Sequence, residues 1–203
     1  CGDAIDTGYQ NVLMGRYAGS AITGGANNTC IGYAAGDSMT DNTNNVAIGS
    51  NALGVCESGG INNTAVGTNA GVALTTGDYN TLIGQNAGYA QDTQSYNTFV
   101  GAWAGDGTAN GYNTSVGFQS LSAAAGAYNS CLGQYAGKIV TGSGHTLIGQ
   151  SVGIIITSGN YNTMLGYQAD VDTATDSGIT RLGYKGAIKY VTNRITCTSA
   201  HDG

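Results

Sequence analysis

Apolar and polar positions recur together along this chain. Asn80-Thr81-Leu82-Ile83-Gly84-Gln85-Asn86-Ala87-Gly88 shows the unit most plainly: Asn-Thr-x-(aliphatic)-Gly-x-x-Ala-Gly. Its first glycine returns at Gly15, Gly32, Gly49, Gly67, Gly84, Gly101, Gly117, Gly133, Gly149, Gly166 and Gly183, at intervals of sixteen to eighteen residues. The residue before it is always aliphatic: Met14, Ile31, Ile48, Val66, Ile83, Val100, Val116, Leu132, Ile148, Leu165 and Leu182. Three residues after it the side chain is small, from Ala18 and Ala35 to Gly186, with Val152 the largest. Such a run before a glycine corner predicts a short β-strand. The looser stretches between motifs, such as 72–79 and 154–161, predict a second strand with a turn. Each unit is too short for a strand–helix–strand module of ~30 residues. Stacked at ~4.8 Å per coil, about eleven units make an all-β parallel β-solenoid, a rod roughly 48 Å long.

Strand alternation then assigns columns to faces. The uniformly aliphatic column, paired with the small one, is expected to fill the interior. A threonine column (Thr29, Thr64, Thr81, Thr98, Thr114, Thr146, Thr163) shares its face and is expected inside with it. That placement argues against a threonine array open to ice. The column two before the glycine (Leu13, Cys30, Ala47, Ala65, Leu82, Phe99, Ser115, Cys131, Leu147, Met164) is expected to point outward. A mostly apolar second face on a thin rod reads as a subunit interface, so a parallel homo-oligomer is expected. Four before the glycine stands asparagine in nine copies: Asn11, Asn28, Asn45, Asn63, Asn80, Asn97, Asn113, Asn129 and Asn162, with His145 and Ile179 departing. This column predicts a structural ladder in which each amide bonds to the ones above and below.

Composition agrees with stacked coils. Glycine is 35 of 203 residues and proline is 0; a ladder in which nearly every N–H must pair has no place for proline. Charged residues are 9% and hydrophobic ones 41%, which excludes the polar, highly charged composition of a disordered chain. The glycines lack the three-residue period of collagen. No apolar run is long enough for a membrane-spanning helix. A net charge of −6 on six basic residues argues against nucleic acid, which needs a cationic surface. Residues 1–10 read as a lead-in segment, 11–186 as the repeat domain and 187–203 as a C-terminal cap or exit. Four of the six basic residues, Arg181, Lys185, Lys189 and Arg194, lie near that end. The chain opens on Cys1 with neither a leader nor an initiator Met and is expected to be a processed or partial piece of something longer.

Candidate chemistry is sparse. The histidines are His145, read as a hydrogen-bonding substitute in the ladder, and His201. Glu57 is the single glutamate. Asp37 with Asp41, or Asp78 with Asp92, would be the pairs for glycoside cleavage, which needs two carboxyls facing one groove; solvated surface is the reading adopted. Asp170, Asp172 and Asp176 have part of a calcium-loop spacing without its later glutamate and read as a solvated turn. Cys1, Cys30, Cys56, Cys131 and Cys197 show no Cys-x-x-Cys spacing and read as space-filling thiols. No catalytic residue, metal or cofactor is expected. A tyrosine column five before the glycine (Tyr79, Tyr96, Tyr112, Tyr128, Tyr161) reads as an aromatic edge. Its sharper alternative is a glycan-contacting strip, which Trp103 would extend.

Repeats of the type Asn-Thr-x-Ile-Gly-x-x-Ala-Gly resemble those of bacteriophage tail-fibre and other appendage proteins. Their core is also similar to the shorter repeats of trimeric autotransporter adhesin heads. The resemblance covers residues 11 to about 186. It implies a homotrimer of left-handed parallel β-rolls, a non-enzymatic fibre segment on the virion surface used for display and host attachment. The expected partners are copies of the chain itself, other fibre or virion proteins at its ends, and a host-surface glycan or protein, with no nucleic acid and no membrane insertion. The alternatives are the head of a bacterial surface adhesin, which would sit on the cell surface, and a polysaccharide-depolymerising tail spike.

Overall fold

A computed structural model describes residues 1–56, 59–107, 109–123 and 125–184, and the backbone of 190–192. Glu57, Lys185, Gly186, Lys189, Arg194, Cys197 and His201 lie outside the described residues, as does most of the C-terminal segment. The chain is an all-β parallel solenoid of about ten turns. Its strands are β1 (Val12–Met14), β2 (Thr29–Ile31), β3 (Val46–Ile48), β4 (Thr64–Val66), β5 (Thr81–Ile83), β6 (Thr98–Val100), β7 (Thr114–Val116), β8 (Ser130–Leu132), β9 (Thr146–Ile148), β10 (Thr163–Leu165), β11 (Ile179–Leu182) and β12 (Tyr190–Thr192). They form one sheet in sequence order, with like positions paired, as in Thr81↔Thr98, Leu82↔Phe99 and Ile83↔Val100. β1 to β11 run parallel; β12 returns antiparallel against β11.

Each turn contains one strand, not two: three residues long in β1 to β10 and four in β11. The second segment, expected as a strand, is a series of turns and bends among the described residues, with a single isolated bridge at Ala26↔Thr43. Its coils are still stitched together, by separate bonds such as Thr75 N to Asp92 O at 2.8 Å and Thr141 N to Thr157 O at 2.7 Å. Glycines and hydroxyl residues break the continuous extended run a strand requires while leaving single amides free to pair.

The two strand faces are the reverse of the sequence expectation. The middle residue of each strand is inside: Cys30, Ala47, Ala65, Leu82, Phe99, Leu147 and Met164 are all fully buried. The aliphatic residue before the glycine and the threonine two earlier both face outward, half-buried or exposed. Alternation correctly placed threonine and aliphatic on one face; the choice of which face is inside was inverted. The interior is completed by the small column (Ala35, Ala52, Ala70, Ala87, Ala104) and by a third column, including Ile22, Met39, Leu74, Val140 and Ile156, from the irregular segment.

Volume explains why the inner column varies so widely. At Gly88, Gly105 and Gly153, four after the corner, the strand's middle residue is Leu82, Phe99 or Leu147, whereas Gly36 and Gly137 accompany the smaller Cys30 and Cys131, with Met39 and Leu147 beside them. A Cβ at Gly105 would lie 2.4 Å from the Phe99 ring. Where that position is Leu53 or Leu121, the middle residue shrinks to Ala47 or Ser115. Gly71 shares its coil with the small Ala65, and the space is taken by Leu53 from the coil before and Leu82 from the coil after. Neighbouring side chains thus exchange volume across a narrow, closely packed interior.

The corner glycines stack. Gly84 has φ +132°, and a Cβ there would lie 2.6 Å from the carbonyl carbon and oxygen of Gly101. Other corners use the left-handed region with ordinary residues, including Asn86, Trp103, Leu53, Leu121 and every member of the tyrosine column.

The asparagine column is an inter-coil staple more than an amide-to-amide chain. Each side-chain oxygen accepts from the backbone N–H of the next column member: Asn11 to Asn28 N at 2.9 Å, Asn63 to Asn80 N at 2.9 Å, Asn97 to Asn113 N at 2.9 Å. The amide nitrogen donates to a backbone carbonyl, most often across the coil, as Asn63 does to Gly77 O and Asn80 to Gln94 O, both at 2.8 Å. Direct amide-to-amide bonds occur at Asn28–Asn11 and Asn80–Asn63, both 3.1 Å. At the last parallel strand the inner column ends in buried Arg181, whose Nη2 donates to Asp172 at 3.1 Å.

Candidate functional site

Three-residue strands held in register by corner glycines and asparagine staples create one regular surface feature, the outward strand face. It carries threonine, valine or serine on one column and Met, Ile, Val or Leu on the other, through eleven coils. Met14 is 60%, Leu132 51% and Leu182 49% exposed. None of these outward residues is charged. Charged side chains of the described coils sit mainly on turns, among them Asp37, Asp41, Asp78, Asp92 and Lys138.

The tyrosine column lines the edge of this face. Tyr79–Tyr96, Tyr96–Tyr112 and Tyr112–Tyr128 stack at centroid separations of 5.2, 4.9 and 5.2 Å, with interplanar angles of 3°, 10° and 16°. Their spacing is that of the coils, so the sheet itself sets the stack. Ring faces between neighbours are thus covered, leaving edges and hydroxyls to solvent. Tyr161 stands apart, 72% exposed. The intervening corner is Gly144, and a Cβ there would come within 2.5 Å of the Tyr161 ring. Trp103 does not extend the stack. It occupies the corner after the strand, where its ring neighbour is Tyr89 at 6.4 Å.

The candidate acid–base groups are engaged separately. Asp78 Oδ1 accepts from Ile61 N at 2.8 Å, Asp92 Oδ1 from Thr75 Oγ1 at 2.5 Å, and Asp41 Oδ1 from Gly24 N at 3.2 Å. Burial raises the Asp37 carboxyl pKa, partly offset by backbone hydrogen bonds. Burial also raises that of Asp106, whose Oδ1 has no hydrogen-bond partner among the described residues; a backbone hydrogen bond and Lys138 act in the opposite direction. The described residues enclose no pocket and contain no group of three metal-ligating side chains. No helix among them is long and apolar enough to cross a membrane.

Asp170, Asp172 and Asp176 each have a different partner. Asp170 accepts from Ile155 N and Val171 N, Asp172 bonds Arg181, and Asp176 accepts from Asp172 N, Thr173 N and Thr173 Oγ1. These bonds to Thr173 hold the exposed Asp176 carboxyl below its usual pKa. Cys30, Cys56 and Cys131 are free and buried, and burial pushes each thiol up to about 12; Cys1 is free and exposed.

His145 reproduces the asparagine staple with a ring. Nδ1 accepts from Asn162 N at 3.2 Å and Nε2 lies 2.8 Å from Gly159 O. An amide N–H can only donate and a carbonyl can only accept, so the ring is neutral with its proton on Nε2. Burial lowers its pKa from 6.5, and the bond to Gly159 offsets part of that.

Polarity alone does not mark the exterior face, because the middle column of the strands and the column before the glycine are both largely apolar. The usable signal was size: one column is uniform from coil to coil, while the other ranges from alanine to phenylalanine. Searches against protein-family models, curated proteins and solved structures find no match for this chain.

Proposed function

We propose that this chain is a structural segment of a trimeric virion fibre, a left-handed β-solenoid serving as shaft or host-attachment arm. The observation that carries the reading is the unbroken parallel stack, β1 to β11, bearing one regular uncharged face along its length. A stack of this kind grows by adding copies of one unit, so length is obtained without a larger core. Its surface chemistry suits association and display: apolar strand face, tyrosine edge, acidic turns. A polysaccharide-cleaving role has less support, since Asp78 and Asp92 each accept a separate hydrogen bond in neighbouring coils.

Sedimentation equilibrium combined with labelled antibody on intact particles tests the proposal. A mass three times that of the 20.4 kDa chain and label on a particle appendage are expected. A monomer, or label confined to a bacterial surface, would refute the virion-fibre reading.

A further inference from the structure

We infer that the outward Thr-x-aliphatic strand face is where copies of this chain lie side by side, parallel and in register. The inference rests on the oligomeric part of the proposed function and deepens it by assigning the surface. It also moves the expected interface, because the column first assigned to it is the one buried within each chain.

The first argument is restriction. Inside the coil the strand's middle residue runs from Ala47 to Phe99, because neighbouring positions exchange volume. Outside, the residue before the glycine is Met, Ile, Val or Leu in every coil, although it is half-buried or exposed. Water would accept lysine, aspartate or serine at such positions. An apolar partner surface would not.

The second argument is charge. Each chain carries −6, so two rods repel wherever their acidic turns approach. Their strand faces carry no charge and meet without that cost. Parallel copies related by rotation about a shared long axis bring like coils to the same height, so the face repeats without steps.

The third is size. Ten steps of ~4.8 Å by a three-residue strand of ~10 Å give a flat face of roughly 480 Å² per chain. A pair therefore covers about 1,000 Å², the lower limit for a specific interface. The exposed tyrosine stack beside it lies in position to widen the contact.

The test compares the mass and fold of four proteins: the chain itself, Ile83→Lys/Val116→Lys on the face, Thr76→Lys/Thr93→Lys on the turns, and Thr81→Cys for mild oxidation. Sedimentation equilibrium and circular dichroism are read for the first three. The face variant is expected to dissociate at least ~100-fold more readily than the wild type, while the turn variant assembles normally. Thr81→Cys is substituted conservatively on the face and keeps the test informative if the double lysine variant does not fold. It is expected to give an interchain cross-link at residue 81, identified by mass spectrometry. An oligomeric wild type with neither face-variant dissociation nor a residue-81 cross-link would overturn this inference and leave the fibre reading standing. A monomeric wild type would overturn both, and thermal hysteresis in that monomer would assign the threonine face to ice.

Discussion

Two residues show how much each coil depends on single atoms. Gly84 is the clearer case: its φ of +132° disfavours any side chain, and the carbonyl of Gly101 occupies the space where a Cβ would go. Gly84→Ala is expected to destabilise the chain by about 2–4 kcal/mol, combining backbone strain with a displaced ladder bond, measured by urea unfolding. His145 gives a pH dependence with a definite sign. Its folded pKa is lowered below 6.5, so the unfolded chain binds the proton more readily. The neutral ring's contribution is complete above pH 6.5 and is lost as the pH falls toward the folded value. His145→Asn restores the repeat's own staple and is expected to lie within about 1 kcal/mol of wild type at pH 8. Its advantage in melting temperature should then widen as the pH falls below 6.5. At this scale the staple column was legible in the letters, because an asparagine recurring at one position can bond a partner in the adjacent coil. The left-handed corners were not legible. Leu53 and Leu121 adopt φ of 48° and 53°, conformations for which leucine carries no sequence signal and which stacking imposes.

Among elements, the parallel strands and their register followed from the period, and the second strand did not form. Inside and outside could not be separated by alternation, which is unchanged when the two faces are exchanged. What separates them is shared volume between the strand's middle residue and the corner four residues beyond the glycine. The third interior column stands seven residues after the corner glycine, and it was hidden because its residue types vary, from Ile22 and Met39 to Cys56 and Gln91. Ser115 and Leu121 provide the test. Ser115→Leu crowds Leu121, and Leu121→Gly opens a void, so each alone is expected to cost about 1–4 kcal/mol. Together they recreate the pairing of Leu82 with Gly88. The double variant should therefore recover about 1–3 kcal/mol relative to the sum of the singles in a double-mutant cycle. Strict additivity would contradict the volume exchange.

For the whole molecule, the claim beneath every other is that successive coils rise by one strand spacing along a straight axis. The face, the tyrosine stack and the staples all inherit their regularity from that rise. Thr23, Asp92 and Thr141 occupy one column on the turns, away from the strand face, with Thr23 four coils from Asp92 and seven from Thr141. Pulsed electron–electron resonance on Thr23→Cys/Asp92→Cys and Thr23→Cys/Thr141→Cys chains carrying nitroxide labels, diluted with unlabelled chain, reads these separations directly. Distances of roughly 19 and 34 Å, in proportion to the number of coils between the labels, are predicted. Two similar distances, or a shorter one for the seven-coil pair, would contradict the stacked solenoid.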